Sequence, residues 1–272
     1  MPARVELMKT KVREFWNEQS CGKALHLAGE QAEDYDNQAR ARYALEPYIL
    51  EFAAFERYRG QRVLEVGVGL GADHEQFAAA GAELSGIDLT PRAIDHTRRR
   101  LARRGLSSRL AVGDAEQLQF DDDSFDLVYS WGVIHHAPDT WRAAEEILRV
   151  TRPGGEFKVM IYQKYSLIGL MLWLRFGLGR LRPFCGLEEL YGRYLESPGT
   201  KAFTVAEARA LFAAARQLSI RTALSSGDLL TGGAGQRHRG PLLSVMRALW
   251  PRGLIRRGLS RYGLFMMVHG VK

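Results

Sequence analysis

The chain has 272 residues, 46% of them hydrophobic and 25% charged, with two cysteines. That length buries a substantial core, and the composition excludes a disordered chain, a collagen-like repeat and a disulfide-stapled miniprotein. The net charge of +7 divides unevenly: residues 1–162 carry 21 basic against 26 acidic side chains, a net of −5, and residues 163–272 carry 17 against 5, a net of +12. No acidic residue follows Asp228, while seven arginines fall between Arg237 and Arg261. A basic tail of this kind predicts an anionic partner: phospholipid headgroups, a phosphorylated substrate or nucleic acid. Cys21 and Cys185 are far apart and have no C-x-x-C spacing, so a reducing cytoplasm is expected and a zinc framework is not. Residues 1–20 mix charges without an apolar run, and no secretory leader is expected there.

Residues Val5 to Arg57 read as two helices joined by a polar stretch around Glu30 to Gln38. From Arg62 onward short apolar runs alternate with helical patterns. Arg62–Gly67 is a buried-strand pattern, Ala72–Gly81 a helix closed by glycine, and Glu83–Asp88 the next strand. Thr90 caps a helix with Pro91 at its first position, ending near Gly105. Arg109–Asp114 and Phe125–Ser130 are strands three and four, and Thr140–Val150 is an amphipathic helix. Arg152–Gly155 reads as a turn before a fifth strand, Glu156–Tyr162. The apolar segment Tyr165–Leu181 is broken by Arg175 and Arg180, and its apolar core is far shorter than the roughly 20 residues that span a bilayer. Thr204–Arg216 is a helix with a Thr204/Glu207 capping box, Leu218–Leu224 and Gly263–Val271 are closing strands, and Thr231–Gly240 is a loop. Five strands alternating with helices predict a parallel, doubly wound sheet.

The strongest local signal is Glu65-Val-Gly67-Val-Gly69-Leu-Gly71, directly after a strand and directly before a helix. Glycines there let the backbone turn tightly and approach a ligand at the helix N-terminus. Gly67, Gly69 and Ala72 also satisfy the dinucleotide G-x-G-x-x-A pattern, with Asp88 placed as its ribose-binding acid, so a nicotinamide enzyme remains open on this loop alone. Three further features separate the readings: Glu65 two residues before the first glycine, Gly113-Asp114-Ala115 closing strand three, and Trp131–Asp139 (WGVIHHAPD) after strand four, followed by a helix and RPGG.

Together these motifs resemble the class I S-adenosylmethionine-dependent methyltransferases, in the group similar to ubiquinone and menaquinone biosynthesis methylases. The resemblance covers Tyr43 to Tyr162 in motif detail. It implies a Rossmann-like α/β fold: a doubly wound seven-stranded sheet, mostly parallel with an antiparallel C-terminal strand. An N-terminal helical cap would cover residues 1–57, the cofactor core residues 58–162, and a helical insertion with the closing strands residues 163–272. The cofactor implied is S-adenosylmethionine. Gly67, Gly69 and Gly71 would cradle its methionine moiety, with Glu65 near the ammonium. Asp88 would accept from the ribose, Leu89 would pack on the adenine, Asp114 and Ala115 would meet the adenine amino group, and Ser130 and Trp131 would line the site. His136 aligns with a histidine that relatives place near the acceptor, and His135 stands beside it; both are candidates for taking a proton from the acceptor. Tyr35, Arg42 and Tyr43 fall on the segment that covers the cofactor in relatives.

No metal-ligating set is expected: Asp121, Asp122 and Asp123 lie in a polar turn and read as solvated surface, as do the arginines between Arg98 and Arg104. The acceptor atom, O, N or C, stays open. A small hydrophobic or lipid-linked acceptor suits the Tyr165–Leu181 segment, and peripheral contact with the anionic inner face of the membrane suits the basic tail. Nucleic acid competes for that charge, but no Asn/Asp-Pro-Pro-aromatic motif follows strand four, so it is not the expected partner. A non-catalytic cofactor-binding protein also remains open.

Overall fold

The computed structural model describes residues 2–18, 32–231 and 247–272. Cys21 and nearly all of the expected Thr231–Gly240 loop lie outside the described residues. Seven strands form one sheet in the order β3-β2-β1-β4-β5-β7-β6: β1 Arg62–Val66, β2 Glu83–Asp88, β3 Arg109–Val112, β4 Phe125–Trp131, β5 Thr151–Tyr162, β6 Gln217–Ala223 and β7 Phe265–Val271. Strands β1 to β5 are parallel, and β7 runs antiparallel to both neighbours, β5 and β6. This is the doubly wound sheet with an antiparallel C-terminal strand.

The central strands bury both faces, because successive side chains point to opposite sides. Val63, Leu127, Tyr129 and Met160 enter one core with Phe52, Phe77 and Tyr191. Leu64, Val128, Val159 and Ile161 enter the other with Ile147, Val150 and Phe212, and Phe212 stacks on Phe157 at 4.8 Å. The first face is covered by α3 (Tyr48–Ala53), α4 (Ala72–Ala80), α7 (Leu167–Leu172) and α8 (Leu187–Tyr194). The second is covered by α6 (Thr140–Val150) and α9 (Val205–Leu211), whose Thr204/Glu207 capping box is formed. Two further helices precede the sheet, α1 (Pro2–Glu18) and α2 (Ala32–Leu45), and α5 (Pro91–Ala102) starts on Thr90, whose side chain accepts from Ala93 N.

Three expectations change. Arg152–Gly155 is not a free turn but the start of β5: Gly154 N donates to Lys272 O, Lys272 N donates to Gly155 O, and Arg152 pairs with Asp126. A register shift between Phe125 and Leu127 absorbs the irregularity. The Tyr165–Leu181 segment is not one helix; α7 runs into a π-helical turn, Trp173–Gly177, and a 3₁₀ turn, Leu178–Arg180, and stops at Leu181 in the left-handed conformation. The arginine-rich helix is not wholly solvated, because Arg100 is buried and bonded to Glu75, Gln38, Leu70 O and Tyr35 O. It faces inward because α2 packs there, and those acceptors compensate its desolvation.

Asp228 fixes the C-terminal third. Its buried carboxylate accepts from the backbone amides of Ser225, Ile168 and Leu264 and from the Ser225 hydroxyl. Its own carbonyl accepts from Trp250 Nε1. Asp228→Ala orphans three backbone amides at about 1–3 kcal/mol each before relaxation, so a loss of roughly 3–6 kcal/mol is expected. Urea unfolding measures it, and an unchanged midpoint would contradict the assignment.

Candidate active site

The glycine loop joins β1 to α4. Gly67 N and Val68 N both donate to Ile87 O, which ties the loop to the end of β2. Gly67 has φ +86° and packs so tightly on Val133 that a Cβ would come within 2.2 Å of a methyl group. Gly69 also has positive φ, +53°, but a Cβ there would meet nothing within 4 Å. One glycine is thus held by packing and the other borders open space, as a loop approached by a ligand requires. Gly71 N donates to Val68 O and opens α4.

Asp88, at the end of β2, is the partner of that loop. Its Oδ2 accepts from Gly69 N at 3.1 Å, and its Oδ1 accepts from the amide and the hydroxyl of Thr90, both at 2.9 Å. Burial pushes the Asp88 carboxyl above the usual range, against the lowering effect of these bonds. A carboxylate offers about four acceptor positions, so one remains for a ligand hydroxyl. Beyond Asp88, Leu89, Pro91 and Val112 form the apolar side of a cleft of about 550 Å³ whose other wall includes Arg13 and Asn17 of α1. Open backbone at Gly69, an acid at the strand end and an apolar cleft beyond it fit an adenosine-containing cofactor carrying a methionine tail.

Two expected site residues are engaged elsewhere. Glu65 is buried, and its Oε2 lies 2.8 Å from His74 Nδ1 rather than toward the loop's open side. Ser130 is also buried and donates to Val66 O, which leaves it a strand-to-strand tie. Trp131 is half-buried and stacks on Tyr48, with Phe52 and Phe265 edge-on to it. Asp114 is reached by Lys9 of α1 at 2.6 Å, and Lys9 also pairs with Glu116, so α1 crosses the end of the cleft at Asp114–Ala115. Arg92 donates to Asn17 O and holds the end of the same helix.

The α2 residues form a clamp. Arg42 bonds Asp73 with two nitrogens, and the hydroxyls of Tyr43 and Tyr129 donate to the same carboxylate. These donors outweigh burial and hold Asp73 below the usual carboxylate range. Tyr35 is buried, its hydroxyl 3.2 Å from His96 Nδ1. Sequence reasoning missed Asp73, Glu46 and Glu196. Burial raises Glu46 to about 7, with Glu196 adding to the rise and Arg42 opposing it.

His135 and His136 sit in the 3₁₀ turn Ile134–His136 after β4. Both are buried, with ring centroids 4.2 Å apart. Burial pushes His135 well below the usual histidine range. His136 Nδ1 lies 2.9 Å from Ser197 Oγ and 3.1 Å from Thr200 Oγ1, and its Nε2 lies 3.4 Å from Glu196 Oε2. Trp16 of α1 packs edge-on against it at 4.9 Å. The long helix α1 therefore contacts both Asp114, through Lys9, and His136, through Trp16.

Residues 64–159 match the family model described as a methyltransferase domain. That segment of the chain is similar to a methyltransferase domain. Within the matched residues the glycine loop, Asp88 and Asp114 stand at or just beyond successive strand ends. An uncharacterized protein of Mycobacterium bovis is 38% identical over 113 residues, 42% of this chain and 41% of that protein. A sterol 24-C-methyltransferase of Aspergillus fumigatus is 35% identical over 125 residues, 42% of this chain and 33% of that protein. The chain thus spans well under half the length of these curated relatives, and the likeness is to their methyltransferase portion. Among solved structures, magnesium protoporphyrin IX methyltransferase of Synechocystis, determined with bound S-adenosylhomocysteine, is 15% identical. It has a TM-score of 0.60 over 97% of this chain and 99% of its own, a likeness of fold.

The pair Glu65–His74 is buried behind the glycine loop. Ser108 Oγ donates to Leu84 O, so at 2.8 Å from His74 Nε2 it accepts, and that nitrogen carries the proton. Burial lowers His74 to about 3 and raises Glu65 well above the usual range, so the neutral pair, with Glu65 as donor to Nδ1, is favoured. Because the folded-state value is depressed, His74 stays neutral at pH 5, where an unfolded histidine, near 6.5, is protonated. Nitrogen chemical shifts of the imidazole should therefore report one protonated nitrogen, Nε2, at pH 5. Two protonated nitrogens would place an ion pair there instead.

Proposed function

We propose that the protein transfers a methyl group from S-adenosylmethionine to an O, N or C nucleophile of a small hydrophobic or lipid-linked molecule. The observation that carries this reading is the Gly69–Asp88 bond at the carboxyl ends of β1 and β2, beside the open face of the loop. In open α/β sheets ligands bind in the crevice at that edge, next to the point where strand order reverses, here between β1 and β4. Bound there, the cofactor supplies a methyl group on a cationic sulfonium.

The chain's own residues orient and enclose. Asp88 holds the glycine loop in its receiving conformation and offers its remaining acceptor position to the ribose. Leu89 and Val112 form the apolar wall for the adenine, and Gly67 and Gly71 complete the turn. Helix α1, through Lys9 and Trp16, excludes water along the cleft, and alignment in such a site supplies about 7–11 kcal/mol in favourable cases. The His135/His136 turn with Glu196 forms the acceptor-activating end. Asp88→Ala should weaken cofactor binding by about 1–3 kcal/mol, through the lost ribose contact and the released Gly69 amide. Calorimetry on the folded variant measures it, and unchanged affinity would sink the assignment.

The hydrophobic-acceptor half of the proposal draws on the segment after β5. Leu170, Leu174 and Leu178 recur at helical spacing and are about half exposed, Leu181 is 90% exposed and Phe184 fully exposed. Helix α10 (Arg252–Gly258) adds exposed Leu254, Arg256 and Arg257, and Asp228 ties both segments to one point. Apolar side chains among arginines in a net-basic region fit the surface of an anionic bilayer. No described helix is long and apolar enough to cross a membrane. Arg252 bonds to the carbonyls of Arg247, Leu229 and Leu230, so Arg256 and Arg257 are the charges to test. Sedimentation with anionic liposomes should capture the protein at low salt and release it as salt rises, because the Debye length is about 8 Å at physiological strength. Reversing Arg256 and Arg257 to glutamate should reduce capture. A wild-type protein left in the supernatant with anionic liposomes at low salt removes the membrane half.

A further inference from the structure

We propose that His135, His136 and Glu196 bind one divalent transition-metal ion of the zinc class, at which an acceptor O–H or S–H is ionised before methylation. The three offer ligand atoms that all lie within 4.8 Å of one another. The assignment rests on the reading of this cleft as the acceptor site.

His135 is fully buried, yet among the described residues neither of its ring nitrogens has a hydrogen-bond partner. Buried polar groups left without a partner are rare and costly. Its ring lies 3.9 Å from that of Tyr162, and no polar bond opposes its turning toward a ligand. His136 presents a second unmet atom. Thr200 Oγ1 donates to Ser197 O at 2.7 Å and so accepts toward His136 Nδ1, and Ser197 Oγ, 2.9 Å from Nδ1, can accept there too, which admits the tautomer with the proton on Nδ1. In that tautomer Nε2 directs a lone pair at the Glu196 carboxylate 3.4 Å away, and among the described residues Nε2 has no hydrogen-bond partner. A cation between Nε2 and the carboxylate would then be held by both. Two ligands of a tetrahedral ion held at about 2.0–2.1 Å stand roughly 3.4 Å apart, the spacing already present.

The surroundings are those of a supported metal site. Ser197 and Thr200 fix His136 through Nδ1, and the Tyr162 hydroxyl donates to Glu196 Oε2 at 2.7 Å. Such outer partners orient ligands and raise their basicity. Two imidazoles and one carboxylate suit zinc-like ions over magnesium or calcium, which take oxygen. The Glu196 side chain is 34% exposed, so the fourth position opens to solvent or acceptor, as in three-ligand catalytic sites. Charge sets the acceptor class. An ion of +2 with one carboxylate leaves +1, which an anionic acceptor cancels beside a cationic sulfonium. The O–H or S–H bond breaks, its electron pair stays on the heteroatom, and the proton leaves to water past Glu196. The new bond to carbon then forms as the methyl–sulfur bond breaks, its pair passing to sulfur. An amine acceptor lacks this benefit.

The test is calorimetric titration of the chelator-treated full chain with Zn²⁺, with Co²⁺ as the spectroscopic probe. One ion per chain is expected, together with the visible absorption of four- or five-coordinate cobalt. Glu196→Gln and His135→Asn should each weaken binding beyond the about tenfold to hundredfold lost when only an outer partner is removed. Should His135→Asn fail to fold, Glu196→Gln, at a partly exposed position, carries the test. S-adenosylmethionine binding by the same samples separates the two readings. A protein that binds the cofactor but no ion overturns the metal site and leaves the methyltransferase reading standing. Equal ion affinity in wild type and both variants assigns the ion elsewhere, for example to His269–Glu156, and also overturns it.

Discussion

The Asp88 carboxylate is the point on which the cofactor end of the structure depends. It ends β2, caps the turn into α5 through Thr90, and holds the amide of Gly69 across the loop that leaves β1. One side chain thus couples two parallel strands, a helix start and the glycine turn. The sheet order makes that coupling useful. The chain winds outward from β1 in one direction to β3 and in the other to β5, so the loops after β1 and β4 diverge and leave a crevice.

Buried carboxylates organise the remainder in the same way. Asp73 gathers Arg42, Tyr43 and Tyr129, which docks α2 on the sheet, and Glu75 with Arg100 repeats the device two residues later. Asp228 does this for the C-terminal third. Each is costly to bury alone and is compensated by several donors, so each specifies one docking geometry more than it adds stability. The consequence is that the N-terminal and C-terminal thirds meet at the turn after β4, where Trp16 and Glu196 both contact His136.

The core was legible in the sequence because its signals are local. A buried strand, a glycine turn and a capped helix each follow from neighbouring residues, and Thr90, Pro91 and the Thr204/Glu207 box act where those residue types predict. What could not be read depended on distance along the chain. Glu196 meets His136 from 60 positions along the chain, and nothing near Glu196 in sequence marks it. Arg100 looks like its exposed neighbours until α2 packs against it. Glu65 carries the expected acid but turns to His74, one α4 turn into the next element, because that imidazole needs a buried partner. The Asp121–Asp123 run is surface, with Asp122 and Asp123 paired to Arg149 and Lys272. Tyr165–Leu181 carried the apolar signal without its direction: Gly177, Gly179 and the left-handed Leu181 break the helix and leave its leucines facing out.

The most direct measurement of the central claim is turnover with methyl-labelled S-adenosylmethionine in a fractionated metabolite and lipid extract, followed by mass spectrometry. The account predicts label in a hydrophobic product, with one S-adenosylhomocysteine released for each methyl group transferred. Binding of the cofactor with no label in any fraction, and no S-adenosylhomocysteine formed, would contradict it.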